Sequence, residues 1–143
     1  DLHLSLRRQR QMCIRDSICF ESVFPAIVNG LNDRGAQFLV IVVNDGWYGT
    51  SAEPFQHEAI ARLRAIENRY PVVRSANTGI SAVIDRRGRE VKSIGIGETG
   101  VITASIMPVK EHTFYRRHGN WIFPWSLLLS IVMAGVGWKR TRE

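Results

Sequence analysis

FLVIVVNDG, residues 38–46, is the stretch whose reading decides the fold. Its first six positions are apolar without a break, and Val40, Ile41, Val42 and Val43 are β-branched. A short run of this kind ending in Asn44-Asp45-Gly46 is expected to be a strand buried on both faces, as in the parallel sheets of α/β proteins. Upstream, Val23, Ile27, Val28 and Leu31 recur at helical spacing, with Pro25 near the start and Gly30 and Gly35 marking the end. Proline is tolerated in the first helical turn because its missing N–H has no partner there anyway. Before this helix stands the apolar run Ile18-Cys19-Phe20.

Downstream, Pro54 opens a second helix. Phe55, Ala59, Leu63 and Ile66 form one apolar face, Glu58 and Arg62 pair on another, and Pro71 ends the segment. Residues 72–76 and 80–84 read as strands, residues 85–88 as a turn, and residues 101–106 as a further apolar run. Alternation of strand and helix followed by several strands indicates an α/β layered domain.

The ends differ from this middle. Of the net charge of +6 over 143 residues, most sits at the termini, in Arg7, Arg8, Arg10 and Arg15 and in Lys139, Arg140 and Arg142. A basic groove for phosphates is thereby excluded, and no nucleic-acid partner is expected. Residues 1–16 have neither helix nor strand periodicity and read as a foreign or truncated segment. Residues 121–138, WIFPWSLLLSIVMAGVGW, hold no charged side chain, have tryptophans at both ends, and run into the basic residues 139–143. That pattern predicts a transmembrane helix and a basic cytoplasmic tail, with the folded domain on the other side of the bilayer.

Cys19 lies where an apolar run meets a helix start. Backbone N–H groups and the helix dipole favour the thiolate there and offer donors to an oxyanion. A small buried hydrophobe is the alternative reading of the same residue. Cys13 and Cys19 are too few for a zinc site, and His112 and His118 lack ligand partners, so no metal is expected. His57, on the second helix, reads as a structural polar residue and not as a general base.

Ile18-Cys19-Phe20-Glu21 with Phe24-Pro25, then residues 44–49 (NDGWYG), Gln56-His57, residues 64–68 (RAIEN) and residues 74–79 (RSANTG) together resemble the nitrilase superfamily, with its carbon-nitrogen hydrolase-like domain. Thr113, Tyr115 and Gly119-Asn120-Trp121, leading into the apolar tail, narrow the resemblance to the apolipoprotein N-acyltransferase family. It implies an α/β fold, a partial nitrilase-like α-β-β-α sandwich over residues 17–120, followed by one C-terminal transmembrane helix. It also implies an acyltransferase that moves an acyl chain from a phospholipid donor, through a cysteine thioester, to an apolipoprotein acceptor. Such an enzyme is monomeric, needs no cofactor, and works in the bacterial inner membrane bilayer with its domain on the periplasmic side.

The resemblance implies a glutamate-lysine-cysteine triad, of which only the cysteine, Cys19, is placed. Lys92 and Lys110 lie on the wrong side of it, so this chain alone is expected to be catalytically incomplete. Glu21 matches a family glutamate close to the thiol, Phe20 offers its backbone N–H as an oxyanion donor, and Trp47 and Tyr48 line the acyl-chain entrance or pack in the core. Glu67, Asn68 and Asn77 read as scaffold. Two alternatives remain: a soluble nitrilase-type amidase, and an inactive membrane-anchored remnant.

Overall fold

A computed structural model describes residues 14–33, 35–49, 51–109, 111 and 113–140, and the chain divides between Thr113 and Phe114 into two compact units. The described residues of the first unit form one five-stranded sheet in sequence order: β1 (Ile14–Ile18), β2 (Phe38–Val43), β3 (Val72–Ala76), β4 (Ser81–Ile84) and β5 (Glu90–Ile94). Strands β1, β2 and β3 are parallel, while β4 and β5 add antiparallel. Helix α1 (Pro25–Asp33) connects β1 to β2, and α2 (Glu53–Asn68) connects β2 to β3. Parallel neighbours need such crossovers, because a tight turn cannot bring the chain back in the same direction. Strand β1 begins three residues before position 17, with Ile14, Arg15 and Asp16 in register with Phe38, Leu39 and Val40.

The core lies on one face of the sheet. Leu39, Ile41 and Val43 of β2, Val72 of β3 and Ala82 and Ile84 of β4 pack against Val28 of α1 and Ala61 and Ala65 of α2. Side chains alternate across a strand, so Val40 and Val42 point to the other face, where Val42 is 53% exposed and Ile18 68% exposed. The FLVIVV run therefore forms its strand but is covered on one side only among the described residues, a correction to the expectation of burial on both.

Helix α2 is turned opposite to expectation. Phe55, Ala59, Leu63 and Ile66 face outward, while Pro54, His57, Glu58, Ala61, Arg64, Ala65 and Asn68 are buried. Only small side chains fit where α2 crosses the sheet, hence the two alanines in the core. Of the polar residues on the same face, His57 reaches the buried side chains of Ser22 and Asp45. Residues 101–106 are not a strand. The fifth strand is Glu90–Ile94, whose polar alternation suits an edge with little to bury.

The second unit contains α3 (Phe114–His118) and α4 (Ile122–Arg140). Phe114 stacks on His118 with ring centroids 4.2 Å apart and meets the edge of Trp121 at 5.5 Å. Every large apolar side chain of α4 is exposed, from Ile122 through Trp138. No helix among the described residues is long and apolar enough to cross a membrane. The 17 uncharged residues from Ile122 to Trp138 rise about 26 Å, against about 30 Å for a bilayer's hydrocarbon core. Where the transmembrane helix was expected, the described residues form a helix, apolar all round, that starts one residue later and is a few ångströms shorter than that core.

Candidate active site

The carboxyl ends of β1, β2 and β3 lie side by side, the edge at which α/β sheets carry their ligand sites. Cys19 follows β1, Asn44 and Asp45 follow β2, and Asn77 and Thr78 follow β3. At this edge Cys19 is half-buried and has φ +50°, in the left-handed region. For a side chain bearing a Cβ that conformation costs about 1–2 kcal/mol, so the surroundings must hold it. A short 3-10 turn, Cys19–Val23, begins at the cysteine itself. On its near side the backbone N–H of Ile18 donates to Glu21 Oε2 at 2.9 Å. On its far side Ser22 Oγ donates to the Cys19 carbonyl at 3.0 Å.

Behind the cysteine is a line of buried polar side chains. Ser22 Oγ is 3.2 Å from His57 Nε2, and His57 Nδ1 is 3.1 Å from Asp45 Oδ1. Asp45 Oδ2 accepts from Arg74 Nη2 at 2.5 Å, and Arg74 Nε donates to the carbonyl of Ile80 at 3.0 Å. Gly79 lies so close to this line that a Cβ on it would come within 2.9 Å of Asp45 Cβ and Cγ. Burial draws the Arg74 guanidinium below its ordinary pKa, with the Asp45 carboxylate pulling the other way. Glu53, 3.8 Å from His57 Nδ1, is raised by burial and held back by His57.

Asp45, Glu53 and His57 stand close enough together to hold a cation. Both Asp45 oxygens are already engaged, however, one beside His57 Nδ1 and one with the Arg74 guanidinium.

In front of the line, Asn77 Nδ2 donates to Asn44 Oδ1 at 2.7 Å, joining the ends of β2 and β3. Trp47 and Tyr48 lie on the 3-10 turn Gly46–Tyr48, at the same edge as the cysteine. Trp47 is 85% exposed among the described residues. Partial burial, followed by the nearby Glu53, Cys19 and Asp45, raises the Tyr48 phenol above its ordinary value. Phe20 is exposed; its ring meets Phe24 edge-on at 6.3 Å and lies 6.0 Å from the His57 ring.

The edge thus brings together Cys19, Phe20, Glu21, Trp47 and Tyr48, all singled out from sequence. Glu67 and Asn68 lie at the end of α2, where Arg64 Nη1 is 2.9 Å from Glu67 Oε2, and Asn68 Nδ2 donates to the Arg64 carbonyl. Lys110 and His112 fall outside the described residues, as does Cys13. Missed from sequence were Ser22, Asp45, Arg74 and Gly79. A signal existed in Arg74, the one charged residue of the strand Val72–Ala76, which when buried demands a partner. A cavity of about 590 Å³ lined by Val83, Arg87, Val91 and Met107 includes none of these residues.

Residues 9–112 match the carbon-nitrogen hydrolase family. An apolipoprotein N-acyltransferase of Bradyrhizobium diazoefficiens is 47% identical over 116 residues, covering 81% of this chain and 21% of that protein. One of Chlorobaculum tepidum is 40% identical over 141 residues, covering 99% of this chain and 26% of that protein. This chain accordingly spans about a fifth to a quarter of these relatives' length. Two solved structures share the fold. Saccharomyces cerevisiae Nit3, of the nitrilase superfamily, has TM-score 0.50 and 24% identity over 60% of this chain and 34% of its own. A Helicobacter pylori carbon-nitrogen hydrolase has TM-score 0.52 and 16% identity over 60% of this chain and 37% of its own. With the cysteine elbow, the mixed sheet and the family match in agreement, the chain belongs to the carbon-nitrogen hydrolase family.

Proposed function

We propose that this chain is the nucleophile-bearing part of an apolipoprotein N-acyltransferase. Cys19 Sγ attacks an ester carbonyl of a phospholipid, the C–O bond breaks, and a lysophospholipid leaves with a proton. The free amine of an apolipoprotein's diacylglyceryl-cysteine then attacks the thioester, forming the C–N bond and releasing the thiol. Splitting the transfer into two steps is the ordinary advantage of covalent catalysis. Phe20 contributes its backbone N–H to the oxyanion, Glu21 holds the elbow from the side of Ile18, and Trp47 and Tyr48 receive the acyl chain. The family's glutamate and lysine are assigned to no residue of this chain.

The observation that carries this reading is the half-buried Cys19 at φ +50° on the carboxyl edge of the sheet. A soluble amidase would use the same elbow, but α4 favours the lipid substrate. It is apolar on every side, and the similarity to the C. tepidum acyltransferase covers 99% of the chain, α4 included. A helix without a polar face belongs in a core or a bilayer. A few ångströms of mismatch are absorbed by local thinning of the bilayer. We place the protein in the bacterial inner membrane as a monomer, with the basic C-terminus cytoplasmic and the domain periplasmic. The bare face of the sheet, with Ile18, Val40 and Val42, receives the second sheet of an α-β-β-α sandwich.

The test supplies the full-length gene product with vesicles of phospholipid labelled in its acyl chain and a peptide bearing an N-terminal diacylglyceryl-cysteine. Amide-linked label on the peptide is expected. Label appearing only as free fatty acid, or turnover of small soluble amides in its place, rejects the proposal.

A further inference from the structure

We infer that Ser22 and His57, anchored by Asp45 and Arg74, are positioning residues that aim the Cys19–Phe20 peptide, so that its N–H faces the reacting carbonyl. The inference rests on Cys19 being the nucleophile. The four side chains come from the elbow, α2, the end of β2 and β3, and all are buried. They run in an unbroken line of contacts of 3.2, 3.1 and 2.5 Å, ending in the 3.0 Å bond to the Cys19 carbonyl.

A serine, a histidine and an aspartate in this order suggest a nucleophilic triad, but the geometry excludes it. Ser22 is fully buried, and its single proton is given to the Cys19 carbonyl. The lone pairs of its oxygen are left facing His57 Nε2 at 3.2 Å, and His57 Nδ1 lies 3.1 Å from Asp45 Oδ1, on a carboxylate that already accepts from Arg74. The line ends on a backbone group, so what it controls is backbone.

The peptide unit is planar and trans, with C=O and N–H pointing in opposite directions. The Cys19 oxygen and the Phe20 N–H belong to one such unit. Ser22 holds the oxygen from the buried side, which turns the Phe20 N–H away from the core and toward the exposed side of the elbow. Backbone donors work in catalysis because they are fixed in advance of the charge they meet. The left-handed Cys19 would otherwise relax, and with it this plane.

The test uses the full-length gene product and labelled phospholipid, reading single-turnover thioester formation on Cys19. Loss of one fixed oxyanion donor typically lowers the rate about 100-fold, so Ser22→Ala and His57→Gln are expected to slow acylation by about that factor with half-saturation by phospholipid unchanged. Ser22→Thr, which keeps the hydroxyl, restores most of the rate. Alkylation of Cys19 by iodoacetamide forms no oxyanion and is expected to proceed at the wild-type rate in all three variants, which also reports an intact elbow. Acylation at the wild-type rate in Ser22→Ala and His57→Gln would overturn the inference. So would alkylation falling in parallel with acylation, since the defect would then lie in the thiol or the fold. If the unsubstituted protein forms no thioester on Cys19, the nucleophile assignment itself fails, a result separate from normal acylation in the variants.

Discussion

Arg74 and Asp45 form an ion pair, Nη2 to Oδ2 at 2.5 Å, between side chains with no exposure to solvent. Breaking a buried pair leaves one charge without compensation, which typically destabilises a fold by about 3–5 kcal/mol. Arg74→Met is expected to lose stability on that scale in chemical denaturation. Arg74→Lys should not restore it, because all of a lysine's donors sit on one nitrogen, whereas Arg74 reaches Asp45 through Nη2 and the Ile80 carbonyl through Nε.

Gly79 and Gly30 make a contrasting pair. A Cβ at Gly79 would overlap the Asp45 carboxylate, which is itself fixed by His57 and Arg74. Gly79→Ala should therefore destabilise by about 1–3 kcal/mol, the usual range for overpacking. Gly30 lies within α1, and a Cβ added to it would meet nothing within 4 Å. Gly30→Ala is expected to stabilise by about 0.5–1 kcal/mol. Thermal melting of the two variants checks both signs.

The left-handed Cys19 predicts an inverted ranking of two small substitutions. Glycine adopts φ +50° freely, whereas alanine retains the Cβ penalty of about 1–2 kcal/mol. Cys19→Gly should be more stable than Cys19→Ala by about that amount, the reverse of the order found in ordinary sheet or helix. Equal stabilities would mean that the elbow relaxes once the sulfur is gone.

Glu58 sets a pH dependence. It is buried, and desolvation raises its carboxyl above the ordinary value despite Arg62 Nε at 4.0 Å. A carboxyl raised in the folded state contributes stability that is full below its unfolded pKa and is lost as pH rises through the folded value. Relative to Glu58→Gln, the unsubstituted protein should therefore gain stability as pH falls from neutral toward about 5. Parallel stability-pH curves for the two proteins would contradict this.

Much of the fold was legible in the sequence. Residues 38–43 form the strand that their β-branched run implies, and Pro54 and Pro71 bound the second helix closely. The orientation of α2 was not legible, because the stripe of Phe55, Ala59, Leu63 and Ile66 satisfies helical periodicity while His57 and Arg64 are the residues turned inward. Periodicity counts apolar side chains and cannot see that a histidine's partners lie on another strand. Residues 90–94 escaped notice because an edge strand needs no apolar alternation. At the site, the elbow at Cys19 followed from local sequence. The line behind it did not, since Asp45 and Arg74 stand 29 positions apart and meet only once β2 and β3 pair.

The most direct measurement is peptide-mapped mass spectrometry of the full-length gene product after incubation with phospholipid alone, without acceptor. A mass increase of one acyl chain on the peptide carrying Cys19, released by hydroxylamine and absent from Cys19→Ala, is the expected result. An acyl adduct that persists in Cys19→Ala, or none on the unsubstituted protein while transfer to acceptor proceeds, would contradict a thioester at Cys19.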